Sequence, residues 1–232
     1  MDERFSRQEM IMGCGIMERL GKSRVLICGV GGVGSYICEA LARAGVGNMD
    51  LLDFDIVSKS NINRQLCALE STLGRKKAEV MAERLKDINP GLNVTVLDVF
   101  LSEDNTAGIL KRGYDYIADA IDTVPSKLCL IKTAHEMGIP IISSMGTGNK
   151  LDPSAFEIAD IYKTSVCPLA RKVRSELKKA GIKKHTVLYS KEEPIKPLFT
   201  EDGRHTPGSV SFVPSAAGLM IAGKIIRDLA EI

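Results

Sequence analysis

Short runs of aliphatic and β-branched residues alternate along the first two thirds of the chain with longer stretches in which apolar residues recur every three or four positions. The runs Arg24 to Cys28, Met49 to Asp53, Asn93 to Val99, Asp115 to Ala118 and Ile139 to Ser143 predict strands. The stretches Val33 to Ala44, Arg75 to Lys86, Glu103 to Lys111 and Pro125 to Met137 predict helices, and Gly45 and Gly138 follow two of them where a helix readily stops. Strand and helix in alternation are the pattern of βαβ units and a mostly parallel sheet. The expected fold class is therefore α/β, a doubly wound sheet over residues 1–150. A smaller substrate-binding portion, residues 151–232, is expected to complete the same globule.

Beyond Lys150 the texture changes. Residues 163–185 hold Lys163, Arg171, Lys172, Arg174, Lys178, Lys179, Lys183 and Lys184 against the single acid Glu176, and a helix is predicted from Pro168 to Ala180. That segment carries +7 in a chain of net +2, so everything else sums to −5 and the basic charge is concentrated in one place. Lys191 to Gly208 is rich in proline and reads as a surface loop. The charge-free stretch Thr206 to Gly223 contains two prolines and makes a poor bilayer span, so its second half is expected to be a buried helix.

With 232 residues, 44% of them apolar, the chain can bury a large core, which excludes disordered and fibrous classes. No signal peptide is visible before the first apolar stretch, and a cytoplasmic protein is expected. Its six cysteines lie singly with no C-x-x-C pair, which argues against a zinc knuckle and against a disulfide framework.

The first strand runs straight into Gly29-Val30-Gly31-Gly32-Val33-Gly34 and then a helix, a turn that lets backbone amides and a helix N-terminus meet phosphate. Asp53 follows at the end of the next strand, where a carboxylate accepts from ribose hydroxyls. These features make the fold Rossmann-like, and by themselves they fit an NAD enzyme as well as an ATP enzyme. Ser60-Asn61-Ile62-Asn63-Arg64-Gln65, Gly74-Arg75-Lys76-Lys77 and Asp119-Ala120-Ile121-Asp122 tilt the reading. Hydride transfer has no need of clustered Arg, Lys and a further carboxylate, whereas a triphosphate with Mg2+ does.

Asp53 with Asp55, the S-N-x-N-R-Q run, G-x-x-K ending at Lys77 and the acidic pair ending at Asp122 resemble, in this order, the adenylation domain of the ubiquitin-activating-enzyme-like superfamily. The resemblance covers roughly residues 4–150. It implies Asp53 on the ribose of ATP, Asn61, Arg64 and Lys77 on the phosphates with Gln65 and Asp55 beside them, and Asp122 near Mg2+. Arg64, Lys77 and Asp122 are then the catalytic set, and Gly29, Gly31, Gly32 and Gly34 form the nucleotide turn. Arg7 matches an N-terminal arginine that in this superfamily reaches the ATP of the other protomer, which implies a homodimer. Plainer readings stay open: solvated surface charges for Arg64, Lys77 and Arg7, and a turn cap for Asp55.

Two kinds of carboxylate suit such a site: the C-terminal glycine of a ubiquitin-like sulfur carrier, or a small carboxylate on something else. Carrier activators of the superfamily commonly hold zinc through C-x-x-C pairs, which are absent here, and a basic helix is present instead. Asp119 to Thr123 with Lys127, Thr164 to Ala170 and Val173-Arg174 within Ile161 to Lys184, Tyr189-Ser190 with Glu193-Pro194, and Gly208 to Pro214 resemble the tRNA threonylcarbamoyladenosine dehydratase branch. That implies ATP-dependent cyclisation of the modified adenosine, with tRNA held by Arg171, Lys172, Arg174 and Lys178 and a sulfur-relay protein as a possible partner. Cys167 reads as a small buried residue opening a helix rather than as a nucleophile, and His135 as structural. His185 and His205 are expected nearer the substrate, with His205 a candidate for acid–base work.

Overall fold

The computed structural model describes residues 2–199 and 207–232. Two N-terminal helices, α1 (Ser6–Met12) and α2 (Cys14–Lys22), lead into β1 (Arg24–Cys28), α3 (Gly34–Arg43), β2 (Asn48–Leu52), α4 (Lys77–Ile88), β3 (Asn93–Leu97), α5 (Glu103–Leu110), β4 (Tyr116–Asp119), α6 (Val124–Glu136) and β5 (Ile141–Ser144). Then follow β6 (Phe156–Asp160), α7 (Pro168–Lys179), β7 (Thr186–Ser190) and α8 (Phe212–Ala230). The strands and helices that the pattern delimits are present with ends shifted by a residue or two. The pattern does not mark β6 or β7.

All seven strands form one sheet in the order β3-β2-β1-β4-β5-β7-β6, parallel except for β6, which runs antiparallel to β7 at the edge. The sheet therefore continues through the 150 boundary into the C-terminal portion. Successive side chains of β1 point to opposite faces, as a pleated strand requires. Val25 and Ile27 join a core with α3, α4 and α8, whereas Leu26 and Cys28 join a core with α6 and α7. Both faces of the central strands are covered, which explains why those strands are nearly continuous apolar runs. Within α8, Val213, Ala217, Ile221 and Ile225 are buried against α3 and the sheet. No helix among the described residues is long and apolar enough to cross a membrane.

Candidate active site

Strand order reverses between β1 and β4, and at this point a cleft of about 620 Å³ opens outside the carboxyl ends of the strands, the usual ligand position in doubly wound sheets. The glycine turn forms its floor. Gly29 has φ of +85°, and a Cβ on Gly34 would stand 1.8 Å from the carbonyl oxygen of Gly29, so α3 can start this close to β1 only without a side chain there. Among the described residues, the N–H groups of Gly31, Gly32 and Val33 donate to no protein acceptor. Free amides at a helix N-terminus are ready donors to an anion.

Side chains from the ends of β2 and β4, and from the segment between them, converge on this turn. Asp53, just past β2, is buried and accepts from the N–H of Val30 at 2.6 Å and of Asp55 at 2.9 Å. Burial raises its carboxyl pKa, partly offset by those two N–H groups and by the charge of Lys77. Lys77, at the start of α4, is 8% exposed in its side chain and pairs with the half-exposed Asp55 at 2.8 Å. Arg64 lines the cleft with its guanidinium bonded only to the carbonyl of Ser60 and the side chain of Asn63, both at 2.9 Å, and with no carboxylate partner among the described residues. Gln65 is buried beside Gly31 and also lines the cleft. Asp122, past β4, is exposed to the cleft with only the Thr123 hydroxyl nearby at 3.3 Å.

Two of the expected residues are elsewhere. Asn61 does not line the cleft: it is buried, and its side chain accepts from the N–H of Ser58 at 3.2 Å, closing a local capping box. Arg7 is exposed on α1, outside the cleft of its own chain. Among the described residues no cluster of three or more His, Cys, Asp or Glu is placed to hold a metal ion.

The other half of the cleft is built by the segment after β5 and by the start of α7. Lys127 of α6 is completely buried, pairs with the equally buried Asp119 at 2.7 Å and donates to the carbonyl of Ser144 at 3.1 Å. Asp119 in turn accepts from the N–H of Ile121 at 3.1 Å. This buried clamp ties the ends of β4 and β5 together beneath the Asp122 loop and the 145–150 loop. Asn149, at φ +59°, bonds Gly208 through both its backbone N–H (2.8 Å) and its side chain (2.6 Å), and its carbonyl accepts from Ile195 at 2.8 Å. Its short amide side chain tolerates that backbone conformation. Cys167 is buried at the head of α7, lines the cleft and has no side-chain partner among the described residues. The glycines of Met145-Gly146-Thr147-Gly148-Asn149, directly after a strand, are the signal in the sequence for this half.

On α7, Arg171, Lys172, Lys178 and Lys179 are exposed on one side, while Val173 and Leu177 are buried on the other. Arg174 departs from expectation: its guanidinium donates to the carbonyl (2.9 Å) and hydroxyl (2.5 Å) of Thr164 and holds that turn. His185 lies at the opposite end of the sheet from the cleft, contrary to the expectation that it is near the substrate. It is buried, within 3.2 Å of His135 and 2.9 Å of the Ser143 hydroxyl, and its pKa is lowered to about 3, chiefly by burial and then by His135 and Lys127. His135 is structural only in that pairing, being itself exposed. His205 lies outside the described residues.

Known proteins are similar to this chain in sequence and in fold. The chain is 44% identical over 246 aligned positions to the tRNA threonylcarbamoyladenosine dehydratase of Bacillus subtilis, taking in all of this chain and 96% of that one. The solved structure of the Escherichia coli tRNA N6-threonylcarbamoyladenosine dehydratase in complex with ATP superposes with a TM-score of 0.91 at 34% identity, covering 99% of this chain and 94% of that one. The Haemophilus influenzae molybdopterin-synthase adenylyltransferase is 36% identical over only 60% of this chain. The ThiF family model matches residues 5–232, and with full-length likeness on both counts this chain belongs to the ThiF family.

Proposed function

We propose that this chain is an ATP-dependent tRNA-modifying enzyme that cyclises threonylcarbamoyladenosine by activating its free carboxylate. The observation that carries the reading is the convergence of free glycine-turn amides, Asp53, Arg64, Lys77 and Asp122 on one half of a cleft whose other half is open and built by residues 145–150 and the head of α7. A carboxylate is a poor electrophile; its oxygen attacks the α-phosphate of ATP, pyrophosphate leaves, and the acyl adenylate now has AMP as a good leaving group. A neighbouring atom of the same modified base then closes the ring on the acyl carbon and gives up its proton, and AMP carries the oxygen away. Because the second step is intramolecular, positioning provides much of the rate and no enzyme nucleophile is needed. The partnerless Cys167 is consistent with that economy.

The chemistry of the residues that line the cleft supports a nucleotide there. Asp53 keeps carboxylate lone pairs for ribose hydroxyls, and the edge-to-face pair Phe54 and Phe100, with centroids 5.2 Å apart, gives an apolar wall for a planar base. Arg64 and the turn amides would hold phosphate, and Lys77, here paired with Asp55, would have a more highly charged partner in it. Asp122 has the open carboxylate that one Mg2+ needs alongside phosphate oxygens and water. Residues 1–150 thus serve ATP and 151–232 serve the RNA, with Arg171 and Lys178 of α7 on tRNA phosphates, in the cytoplasm where tRNA is modified.

A homodimer suits Arg7, which is remote from its own cleft, and the exposed Met10 (83%) and Ile11 (88%) beside it on α1. Light scattering tests the dimer, and mixing Arg7→Ala with a cleft-dead variant tests whether Arg7 serves a partner's site. For the activity, tRNA bearing threonylcarbamoyladenosine is incubated with protein and ATP, and its nucleosides are weighed by mass spectrometry. Loss of one water, dependent on ATP, is expected. An unchanged mass together with ATP–pyrophosphate exchange that requires a protein ending in Gly-Gly would replace this reading with carrier activation.

A further inference from the structure

At the end of the sheet opposite the active site, a groove of about 880 Å³ is formed by the residues that precede β4, β5 and β7 and by the last turns of α8. Its charges are unequal in their commitments. Asp115 accepts from the N–H of Arg24 at 2.7 Å, Asp228 is bonded by the Tyr116 hydroxyl at 2.8 Å and by Lys224, and Glu231 pairs with Arg19 at 2.8 Å. Every acidic side chain in the groove is thus already bonded. Lys183, Lys184 and Arg227 are exposed and have no carboxylate partner among the described residues, and the exposed His135 stands beside them. Ile139 and Pro140 supply an apolar wall. In the lining three cations, Lys183, Lys184 and Arg227, face three acidic side chains, two of which, Asp228 and Glu231, are already paired with Lys224 and Arg19 from outside it.

This groove is continuous with α7. The helix starts at the active-site cleft and, 12 residues or about 18 Å later, delivers the chain through Gly181 to Lys183 and Lys184. Arg171 and Lys178 lie along the way on its exposed side. A line of uncommitted cations therefore runs from the mouth of the cleft to the far end of the sheet. It is far longer than one nucleotide needs, and its length suits successive phosphates of a folded strand whose reactive base sits in the cleft.

We infer that the groove formed by Lys183, Lys184, Arg227 and His135 is a second RNA site, which takes backbone phosphates of the stem adjoining the nucleotide in the active site. The inference rests on the tRNA reading above and extends it: α7 holds the strand near the reacting base, and the groove measures whether a stem follows at the right distance.

The test uses the full chain and two synthetic RNAs of the same loop sequence, a stem-loop hairpin and the loop alone as a short single strand, with affinity followed by fluorescence anisotropy across salt concentrations. Charge reversal at Lys183, Lys184 and Arg227 together should weaken hairpin binding on the order of tenfold and flatten the log–log salt slope by roughly 0.7 to 0.9 for each phosphate that the variant no longer neutralises. The same variant should bind the short strand and ATP as the wild type does, and its unchanged melting temperature would show it folded. Hairpin affinity and slope matching the wild type, while reversal of Arg171 and Lys178 weakens binding, would overturn the groove and leave the tRNA reading standing. Wild-type protein that binds neither RNA would overturn both. If inorganic phosphate raises the wild-type melting temperature and the groove variant abolishes that rise without altering hairpin binding, the groove holds a free anion and the RNA assignment falls.

Discussion

Lys127→Met should destabilise the protein severely although Lys127 touches no solvent. Lys127 and Asp119 are both 0% exposed, and no other cation pairs with Asp119 among the described residues. Methionine preserves the length of the side chain but leaves a buried carboxylate unpaired. Breaking a buried pair in this way costs about 3–5 kcal/mol, a large part of the roughly 5–15 kcal/mol that holds a domain folded. At roughly 2–4 °C per kcal/mol for a chain of this size, the melting temperature should fall by about 6–20 °C. Adding Asp119→Asn removes the charge while keeping an acceptor for the N–H of Ile121, so the double variant should regain most of that stability. Thermal unfolding by circular dichroism measures both effects. A single variant that melts within about 3 °C of the wild type, or a double variant no better than the single, would refute the argument that the pair is a closed buried clamp.

Three further outcomes are expected. Arg64→Ala and Lys77→Ala should each lower turnover on the order of a hundredfold by removing a donor to developing phosphate charge, with turnover within roughly threefold of the wild type for both contradicting their role. Gly34→Ala should abolish ATP binding measured by calorimetry, because its Cβ would lie 1.8 Å from the Gly29 oxygen and the turn must open; retained binding would mean α3 shifts freely. His185 stays neutral to about pH 3 when folded but titrates near 6.5 when unfolded, so its environment stabilises the fold fully above pH 6.5 and loses that contribution as pH falls toward 3. The decrease by about pH 5 is about 2 kcal/mol, and urea unfolding of His185→Gln should lack that increment.

The parts of the fold legible in the sequence are those whose burial is symmetrical. β1, β2 and β4 are covered on both faces, so their apolar runs stand out against the glycines and acids that bound them. β6 is half-exposed along most of its length at the sheet edge and produces no such contrast, whereas β7 is as short and as buried as β1, so burial does not account for its absence from the pattern. In the site, Asp53 is legible because its place depends only on the end of a strand. Asn61 is not, since a polar residue three positions after Ser58 can turn back into a capping box as readily as out toward a phosphate, and here it turns back. The Lys127 clamp is invisible for a related reason: the sequence shows a lysine one turn into a helix, and only the close approach of α6 to the ends of β4 and β5 makes it a buried charge.

Charge is where sequence and structure differ most usefully. The segment 163–185 presents eight cations as equals, but their partners sort them. Arg174 is tied to Thr164, Lys179 pairs with Glu176 at 2.8 Å and Lys172 stands 4.0 Å from the same carboxylate, whereas Arg171 and Lys178 have no carboxylate partner among the described residues. An ion already paired on the surface gives up that partner to meet a phosphate and contributes less to counterion release. Arg171→Ala or Lys178→Ala should therefore reduce the salt slope of tRNA binding by roughly 0.7 to 0.9 each, and Lys179→Ala by clearly less. Arg174→Ala should leave the slope unchanged and lower the melting temperature instead, because the buried Thr164 turn loses its donor. Equal reductions in slope at all four positions would mean that net charge alone governs binding and that the partners seen in the free protein do not matter to RNA.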